Sequence, residues 1–447
     1  MPEKGWNNRM EKRNLTLLTD LYELTMMQGY YVENNVNETV IFDMFYRSNP
    51  NKNGYAICAG LDQVIDYINN LHFDDEDIEY LRSTKIFRDD FLEYLRGFKF
   101  TGDIYAITEG SVIFPREPLV KVIAPIMQAQ LIETALLNII NHQSLIATKA
   151  ARVVLAAEGD GVMEFGLRRA QGPDAGIYGA RAAVIAGCVG TSNVLCGRMF
   201  DVPVLGTHAH SWIMSFPDEL TAFRAYAKTF PTACTLLVDT YDTLKSGIPN
   251  AITVFKEMRA AGIPLKNYGI RLDSGDLAYL SKRAKEMLDE AGFSDAVISA
   301  SNDLDENIIS SLKLQGATIN RWGVGTNLIT SKDCPAFGGV YKLAAVKDDK
   351  NGEFIPKIKL SENAEKITNP GNKKIYRIYN KKTGKIIADY ICLEDEVLSE
   401  DESLMLFDPV ETWKRTKLNA GSFEVKELLV PVFKNGECVY KSPSVME

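Results

Sequence analysis

The sequence predicts an α/β protein whose parallel sheet curls into an irregular, compressed barrel. Between about residues 160 and 340, short apolar stretches of strand length alternate with amphipathic stretches of helix length. Alternation of this kind indicates parallel strands joined by right-handed crossovers. The alternation is absent before about residue 125 and after about residue 340, so we expect a second domain there. A chain of 447 residues has room for two to three domains.

The composition excludes several classes of protein. The chain holds 50 Lys and Arg against 59 Asp and Glu, and this net charge of −9 argues against a nucleic-acid coat or a polybasic membrane anchor. Seven dispersed cysteines without a C-x-x-C pair fit free thiols in a reducing compartment, not a disulfide framework or a zinc site. The polar first residues show no secretory signal, and charged residues interrupt the apolar stretch 125–157. We therefore expect a cytoplasmic protein without a membrane span.

The segment before residue 160 mixes strand and helix patterns. Thr39–Tyr46 has the composition of a strand, and Gly60–Leu71 is a predicted helix with its apolar side chains on one face. Residues 74–100 have a helical and partly acidic pattern. The spacing of apolar residues over 125–157 predicts one long helix.

The alternating run follows. Predicted strands lie at 162–165, 202–206, 235–239, 268–272, 296–300 and 321–324, and predicted helices at 174–187, from Pro217, and at 249–261, 277–291 and 304–315. The run covers about 165 residues, which is short for an eight-unit barrel of roughly 250 unless 125–157 supplies part of it. After residue 340 the helical pattern stops, and Lys373–Asp389 is a predicted hairpin that turns at Asn380–Gly384.

Polar or turn-forming residues follow every predicted strand of the run. Ligands of barrels and open parallel sheets bind beyond the carboxyl ends of the strands, so we expect these residues to meet at one rim. They are Glu164, Phe165, Arg168 and Arg169; Thr207, His208 and His210; Asp239 and Thr240; Arg271, Asp273, Ser274 and Asp276; Ser301, Asn302 and Asp303; and Gly323–Thr326. Because backbone N–H groups of glycine turns after the last strands often hold phosphate, the residues alone predict an anion-binding enzyme.

Some of these residues have an alternative, purely structural interpretation. Asp303 followed by Glu306 fits a capping box for the next helix, and Ser274 or Asp276 fits the cap of the helix at 277–291. The glycine turn would then be a loop without a ligand.

The arginines and histidines of the rim also have both a functional and a structural interpretation. Arg168 and Arg169 fit a surface ion pair as well as a substrate contact. His208 and His210 are two residues apart, which is not a typical zinc arrangement, and either ring fits a packing role.

Seven motifs together resemble the nicotinate phosphoribosyltransferase family. They are TDLYELTMMQGYY (19–31), FDMFYRSNP (42–50), EFGLRRAQGPD (164–174), GTSNVL (190–195), GTHAHSW (206–212), RLDSGDL (271–277) and GVGTNL (323–328). The resemblance runs from about residue 15 to at least residue 380 and includes KITNPGNKKIYR (366–377).

The resemblance implies an activity and an architecture. Nicotinate and 5-phosphoribosyl diphosphate would give nicotinate mononucleotide and diphosphate in NAD salvage, with Mg2+ on the diphosphate. ATP hydrolysis, coupled through a phosphorylated histidine, would make the enzyme a ligase. The implied fold is an amino-terminal α/β sandwich (1–125), an irregular TIM-like α/β barrel with the active site (126–340), and a carboxyl-terminal segment (341–447) that returns to the sandwich.

The resemblance also assigns residues to nicotinate. Tyr22 and Phe165 match the aromatic pair that sandwiches the pyridine ring, with the tyrosine supplied across the interface of a homodimer. Arg168 and Thr207 match positions near the nicotinate. Ser192 stands where the nicotinamide-using relatives carry an aspartate; serine donates to the nicotinate carboxylate, whereas a carboxylate would repel it.

A second group of residues matches the phosphoribosyl and phosphate contacts. These are Arg271, Asp273, Asn302, Asp303, Gly323, Gly325 and Thr326, of which Asp273 contacts the ribose hydroxyls and Asp303 approaches the diphosphate and its Mg2+. His210 matches the phosphorylated histidine, since a neutral imidazole nitrogen can attack the γ-phosphate of ATP near neutral pH. Arg271, Asp273 and His210 are therefore the predicted catalytic residues, whereas His208 has no matching role.

Other functions stay open at this point. The chain could be a nicotinamide phosphoribosyltransferase, a quinolinate phosphoribosyltransferase, or a non-catalytic protein that binds pyridine nucleotides. In the basic segment 342–385, four side chains either bind ATP or belong to a solvated surface loop, and we favour the loop; they are Lys366, Lys373, Lys374 and Arg377.

Overall fold

The computed structural model describes residues 13–348, 350–360, 362, 368–408 and 411–447. The strands are, in chain order, β1 (Thr39–Tyr46), β2 (Ala56–Ile57), β3 (Asp103–Ile107), β4 (Val112–Ile113), β5 (Val120–Pro125), β6 (Gly161–Glu164), β7 (Gly190–Thr191), β8 (Ala233–Leu237), β9 (Asn267–Leu272), β10 (Val297–Ala300), β11 (Arg321–Val324), β12 (Gly339–Lys347), β13 (Phe354–Pro356), β14 (Lys373–Asn380), β15 (Ile386–Leu393), β16 (Leu404–Phe407), β17 (Arg415–Leu418), β18 (Phe423–Glu427), β19 (Leu429–Lys434) and β20 (Glu437–Cys438). The α-helices are α1 (Leu21–Val32), α2 (Leu61–Asn69), α3 (Asp75–Ser83), α4 (Asp89–Leu95), α5 (Ile126–Leu131), α6 (Glu133–Ala156), α7 (Pro173–Ile185), α8 (Val194–Phe200), α9 (His210–Met214), α10 (Glu219–Thr229), α11 (Ile248–Ala260), α12 (Leu277–Glu290), α13 (Glu306–Leu314) and α14 (Thr326–Ile329).

The chain divides into two compact units. The first comprises the residues up to 144 together with 336–443, and the second comprises 145–335 and 444–447. The first division falls within α6, beyond the predicted boundary at 125, because this long helix contributes one half to each unit. The second falls before the predicted boundary at 340.

The first unit is organised around an antiparallel sheet. Its strand order is β13-β12-β1-β5-β3-β19-β20, so strands from both ends of the chain pair in one sheet. Strand β1 lies between β12 and β5, and its Val40–Phe45 segment is mostly buried. Helix α5 packs on β1 and β5, and α1 packs against α5. Smaller antiparallel sheets contain β15-β14-β18, β16-β17 and β2-β4.

Buried ion pairs fix the basic part of this unit. The Lys373 Nζ atom lies 2.6 Å from Oδ2 of Asp43, and Arg377 donates to both oxygens of Asp389 at 2.8 and 2.6 Å. The four side chains are almost fully buried. Lys374 is also buried, and its Nζ atom donates to a backbone carbonyl at 2.7 Å.

The preference for a solvated loop was therefore wrong for Lys373, Lys374 and Arg377. Their partners include acids that are distant in sequence, so the pairing was invisible in the basic composition of the segment. Lys366 lies outside the described residues.

The second unit holds a parallel sheet of order β7-β6-β11-β10-β9-β8, with helices in the connections. The sheet is curled but open, since β7 and β8 are its outer strands. A closed TIM-like barrel is thus not confirmed. The predicted strand at 202–206 forms only an isolated bridge between Thr191 and Val204 in the described residues, and 125–157 is helical, so neither segment closes the sheet.

Several sequence patterns predicted their elements well. The strand over 39–46 and the strand over 321–324 are β1 and β11, and the predicted hairpin is β14 and β15. The predicted helix over 125–157 exists as two helices separated at Ile132. Across the described segments, no helix has the length and apolar character needed to cross a membrane.

Candidate active site

Arg271 connects three loops at the rim of the parallel sheet. The side chain projects from the end of β9, where its Nε donates to Ser301 Oγ at 2.8 Å. Its Nη1 donates to Thr207 Oγ1 at 3.0 Å, and its Nη2 to Asp273 Oδ1 at 3.1 Å. Ser301 also donates to Asp273 Oδ1. The structure thus brings Arg271, Asp273, Thr207 and Ser301 together, as expected from their positions at the ends of the predicted strands 268–272, 202–206 and 296–300.

Asp239 is the carboxylate that joins this cluster to His210. Its side chain is only 1% exposed, whereas that of His210 is 39% exposed. Oδ2 of Asp239 accepts from the Asp273 backbone N–H at 2.9 Å and from Ser274 Oγ at 2.6 Å. Oδ1 lies 3.2 Å from His210 Nε2. Sequence reasoning placed Asp239 at the rim but gave it no role, because only its position after β8 pointed to it.

The two histidines of the GTHAHS segment have different surroundings. His208 is buried, its ring centroid is 4.5 Å from that of Tyr226, and its Nε2 accepts from the Leu237 N–H at 3.3 Å. Burial lowers the pKa of His208 to about 4, so the ring is neutral near pH 7. His208 is therefore a packing residue. His210 begins α9 and presents its ring at the rim.

The glycines of GVGT make room for the loop that carries Phe165. The Phe165 N–H donates to the Val324 carbonyl at 2.8 Å. A Cβ atom on Gly323 would lie 2.7 Å from the Phe165 ring, and one on Gly325 would lie 3.1 Å from the Phe165 carbonyl oxygen. Any side chain at Gly323 would displace the ring. The Arg271 guanidinium carbon is 5.9 Å from the ring centroid, which is close enough for a weak cation–π contact.

Glu164 is buried directly beneath this loop. It accepts from the Gly166 N–H through Oε1 and from Thr191 Oγ1 at 2.6 Å through Oε2. Burial raises the pKa of its carboxyl group. The Ser192 N–H donates to the Glu164 carbonyl at 2.9 Å, so half-buried Ser192 stands beside the Phe165 loop. No role was predicted for Glu164, although its place in the EFGLRR motif was visible.

The loop after β10 has a strained backbone and is held by hydrogen bonds from Asn327. Asn302 has φ +116°, a conformation that costs a non-glycine residue roughly 1–3 kcal/mol. Asn327 is buried and donates to the carbonyls of Asp303 and Leu304 at 3.0 and 3.1 Å. Asn302 and Asp303 are thereby left exposed at the rim. Thr326, the chain neighbour of Asn327, begins the short helix α14.

Asp305 and Asp276 are the caps of the helices that follow β10 and β9. Helix α13 begins at Glu306, and its cap is Asp305, which accepts from the N–H groups of Asn307 and Ile308. The capping role considered for Asp303 was therefore wrong, because the helix begins two residues later than predicted. Asp276 does cap α12, accepting from the Tyr279 N–H at 3.0 Å, whereas Ser274 bonds to Asp239 instead.

Two further predicted site residues, Arg168 and Tyr22, belong to other elements. Arg168 is exposed on the short 3-10 turn Leu167–Arg169. Tyr22 belongs to the first unit, where it lies on α1 with 47% exposure, and its hydroxyl donates to Glu133 Oε1 at 3.5 Å. Burial and the nearby carboxylate raise the pKa of Tyr22, which keeps the hydroxyl protonated.

The acids of the rim fit a metal ion that arrives with a substrate. No group of three or more His, Cys, Asp or Glu side chains in the described residues could hold a metal by itself. Mg2+ commonly binds through one or two carboxylates together with substrate phosphates. The exposed carboxylate of Asp303 suits that arrangement.

The fold and the rim define a parallel α/β enzyme whose site combines a seated aromatic ring, a guanidinium and a histidine–aspartate pair. Family models give the particular family: residues 17–141 match the nicotinate phosphoribosyltransferase (NAPRTase) N-terminal domain, 161–368 the nicotinate phosphoribosyltransferase (NAPRTase) family, and 372–447 the nicotinate phosphoribosyltransferase C-terminal domain. The chain belongs to the nicotinate phosphoribosyltransferase family, and the resemblance carried by the seven motifs is confirmed.

Individual relatives agree with this assignment. The nicotinate phosphoribosyltransferase of Bacillus subtilis (strain 168) is 49% identical over 434 residues, which cover 97% of this chain and 87% of that protein. That of Caenorhabditis elegans is 37% identical over 96% of this chain and 85% of its own. The crystal structure of human nicotinic acid phosphoribosyltransferase superposes with a TM-score of 0.80 at 30% identity, covering 96% of this chain and 91% of the human chain.

Proposed function

We propose that the protein transfers the phosphoribosyl group of 5-phosphoribosyl diphosphate to nicotinate in cytoplasmic NAD salvage, and that ATP hydrolysis is coupled through a phosphate on His210. The products are nicotinate mononucleotide and diphosphate, with ADP and phosphate from the ATP. The observation that carries the proposal is the continuous hydrogen-bonded path from His210 through Asp239 to Asp273 and Arg271.

The pyridine ring would lie on Phe165. The ring of Phe165 is seated on Gly323 and is near the Arg271 guanidinium, so it offers a fixed aromatic face. Ser192 and Arg168 are suited to bind the carboxylate as donors. The proposal includes a homodimer whose second copy supplies Tyr22 to the other face of the ring.

The phosphoribosyl diphosphate would bind along the same rim. Arg271 is anchored by Ser301 and Asp273, which orients its donors towards a phosphate or the nicotinate. Asp273 would accept from the ribose hydroxyls, Asn302 and the turn Gly323–Thr326 would bind phosphate, and Asp303 would hold the Mg2+ of the diphosphate.

The transfer needs positioning more than covalent help. The pyridine nitrogen forms a bond to the anomeric carbon as the carbon–oxygen bond to diphosphate breaks, and the electron pair leaves with the diphosphate. Positive charge grows on the ribose carbon, and Asp273 stabilises it electrostatically. Mg2+, when bound, neutralises the leaving group.

The phosphorylation of His210 follows from its hydrogen bond to Asp239. The carboxylate orients the ring and stabilises the charge of the phosphorylated imidazole. The free ring nitrogen attacks the γ-phosphorus of ATP, a P–N bond forms, and ADP leaves. Water later releases phosphate from His210. Since Asp239 also binds the Asp273 backbone, a change at His210 reaches the ribose site.

Product formation with each pyridine substrate tests the proposal. The purified protein is incubated with 5-phosphoribosyl diphosphate, Mg2+ and ATP, with nicotinate in one series and nicotinamide in the other. Nicotinate mononucleotide from the acid alone is the expected result. Product from nicotinamide alone would refute the assigned substrate, and no product from either would move the chain to the class of binding proteins.

A further inference from the structure

We propose that Glu164 is a positioning residue that sets the geometry of the pyridine pocket, and that its hydrogen bond with Thr191 helps the pocket to select the acid substrate. This inference rests on the proposed function. It assigns a role to a buried carboxylate that touches no reacting atom but holds two substrate loops.

Both oxygens of the Glu164 carboxylate accept hydrogen bonds from the protein. The side chain is fully buried. One oxygen accepts from the Gly166 N–H and the other from Thr191 Oγ1 at 2.6 Å. Thr191 Oγ1 in turn accepts from the Asn193 N–H at 2.9 Å. The result is a chain of donors and acceptors that runs from one loop to the other.

The two loops that Glu164 connects carry the residues of the proposed pyridine pocket. Gly166 lies between Phe165, which provides the aromatic face, and the turn that bears Arg168. Thr191 and Asn193 flank Ser192, whose own N–H donates to the Glu164 carbonyl at 2.9 Å. One residue therefore bonds to both sides of the proposed pocket, through its side chain and through its backbone.

The pairing of β6 with β7 is short next to the proposed pocket. Strand β7 has two residues, and its pairing with β6 consists of Met163 with Gly190 and Glu164 with Thr191. The backbone pairing of β6 with β7 ends at Glu164 and Thr191, next to the proposed pocket. Beyond this point the Glu164 carboxylate connects the two strands through its hydrogen bond with Thr191. A Cβ atom on Gly166 would lie 2.4 Å from Ile329 Cβ and 2.8 Å from Glu164 Oε1, so the protein is too tightly packed for a side chain at this position.

The test uses two near-isosteric variants, Thr191→Val and Glu164→Gln, and the rescue variant Thr191→Ser. Loss of the Thr191 hydroxyl leaves one buried carboxylate oxygen without its donor and lets the Ser192 loop shift. We expect the KM for nicotinate to rise about five- to tenfold in Thr191→Val, the preference for nicotinate over nicotinamide to fall by a similar factor, and the KM for 5-phosphoribosyl diphosphate to stay within about twofold. Thr191→Ser should restore both values, and Glu164→Gln should resemble Thr191→Val.

The matched control is Glu219→Gln. Glu219 is another buried carboxylate of the same unit, bonded to Asn250 Nδ2 at 2.9 Å on α11, away from both loops. This variant should change the melting temperature without changing the preference for nicotinate.

The outcomes separate the two proposals. The inference alone would be overturned if the wild type turns over nicotinate normally and the two variants behave like it. In that case Thr191→Val and Glu164→Gln would have the wild-type KM for nicotinate and the wild-type substrate preference. A lower melting temperature with equal rises in both KM values would show a structural role only and would also overturn it. Absence of wild-type turnover would reject the proposed function together with the inference.

Discussion

The Nε2 atom of His210 lies 3.2 Å from Oδ1 of Asp239, and the other oxygen of the same carboxylate accepts hydrogen bonds from the Asp273 backbone and the Ser274 hydroxyl. A half-exposed imidazole and the ribose-binding loop of the proposed site thus share one buried anion. This arrangement gives a physical route by which phosphate on His210 can influence the transfer at the ribose.

Asp239→Asn tests that route. The amide keeps the shape of the side chain but removes the charge that stabilises a phosphorylated imidazole. We expect ATP-stimulated turnover to fall about 10- to 100-fold, as when a metal-bound histidine loses the carboxylate that orients its ring. Turnover without ATP should fall less. His210→Ala is the companion variant, and it should abolish the ATP stimulation while nicotinate still binds. ATP stimulation of normal size in Asp239→Asn would argue against the shared-anion route.

Ser192→Asp tests the selection of the pyridine substituent. A carboxylate at this position would repel the nicotinate carboxylate and accept from the amide of nicotinamide. We expect the ratio of kcat/KM for nicotinate to that for nicotinamide to fall by at least about tenfold, which corresponds to roughly 1.4 kcal/mol. Ser192→Asn is the uncharged control and should change the ratio less. An unaltered preference for the acid in Ser192→Asp would contradict the assignment.

Asn302→Gly tests whether the strained loop serves the phosphoribosyl site. Glycine adopts φ +116° without strain, so the variant should be more stable by about 1 kcal/mol, measured by denaturant unfolding. The KM for 5-phosphoribosyl diphosphate should nevertheless rise severalfold because a rim side chain is lost. Asn435→Gly, at φ +50° in the first unit, is the control and should leave this KM unchanged. If Asn302→Gly is more stable but keeps the wild-type KM values, the strained loop does not serve the phosphoribosyl site.

Glu23 predicts a pH dependence of stability. Its side chain is fully buried on α1, Gln130 Nε2 donates to Oε2, and Oε1 has no hydrogen-bond partner among the described residues. Burial, together with the nearby Glu133 and Asp20 carboxylates, raises the pKa of Glu23 from 4.5 to about 7. Between these two values the unfolded chain has released its proton while the folded chain still holds it. The free energy of unfolding should therefore fall as the pH rises from about 4.5 to about 7, by at most roughly 3 kcal/mol from this group.

Glu23→Gln removes this titration without removing the polar contact to Gln130. The melting temperature of the variant minus that of the wild type should increase as the pH rises from 5 to 8. The exposed Glu33, just after α1, supplies the control Glu33→Gln, whose difference should stay flat. A flat difference for Glu23→Gln would mean that the buried carboxyl titrates normally.

The sequence predicted most of the second unit because its strands are buried, apolar runs bounded by helices. Strand β11 and the rim residues that follow each strand were found from this pattern alone. The predicted strand at 202–206 is reduced to one parallel bridge, in which the Pro203 carbonyl accepts from the Thr191 N–H at 3.0 Å and the Leu205 N–H donates to the Thr191 carbonyl at 2.8 Å. An apolar run therefore did not guarantee burial here, because Val202 is buried whereas Val204 is 48% exposed.

Contacts between residues distant in sequence were the main source of error at the level of side chains. A separate, local error concerned the start of α13, where Asp303 and Asp305 each fit a helix cap and the observed first residue, Glu306, makes Asp305 the cap. The acid partners of Lys373 and Arg377 lie in other strands or far along the chain, so a basic composition was mistaken for a solvated loop. The role of Asp239 was hidden for the same reason.

The most direct test of the account is the amount of ADP and nicotinate mononucleotide formed in the same reaction, for the wild type and for His210→Ala. Nicotinate, 5-phosphoribosyl diphosphate, Mg2+ and ATP are supplied, and both products are measured over time. We predict that the wild type releases ADP as it forms nicotinate mononucleotide, and that His210→Ala forms the nucleotide slowly and releases no ADP. Equal nucleotide formation by the two proteins, or ADP release by His210→Ala, would contradict the coupling through His210.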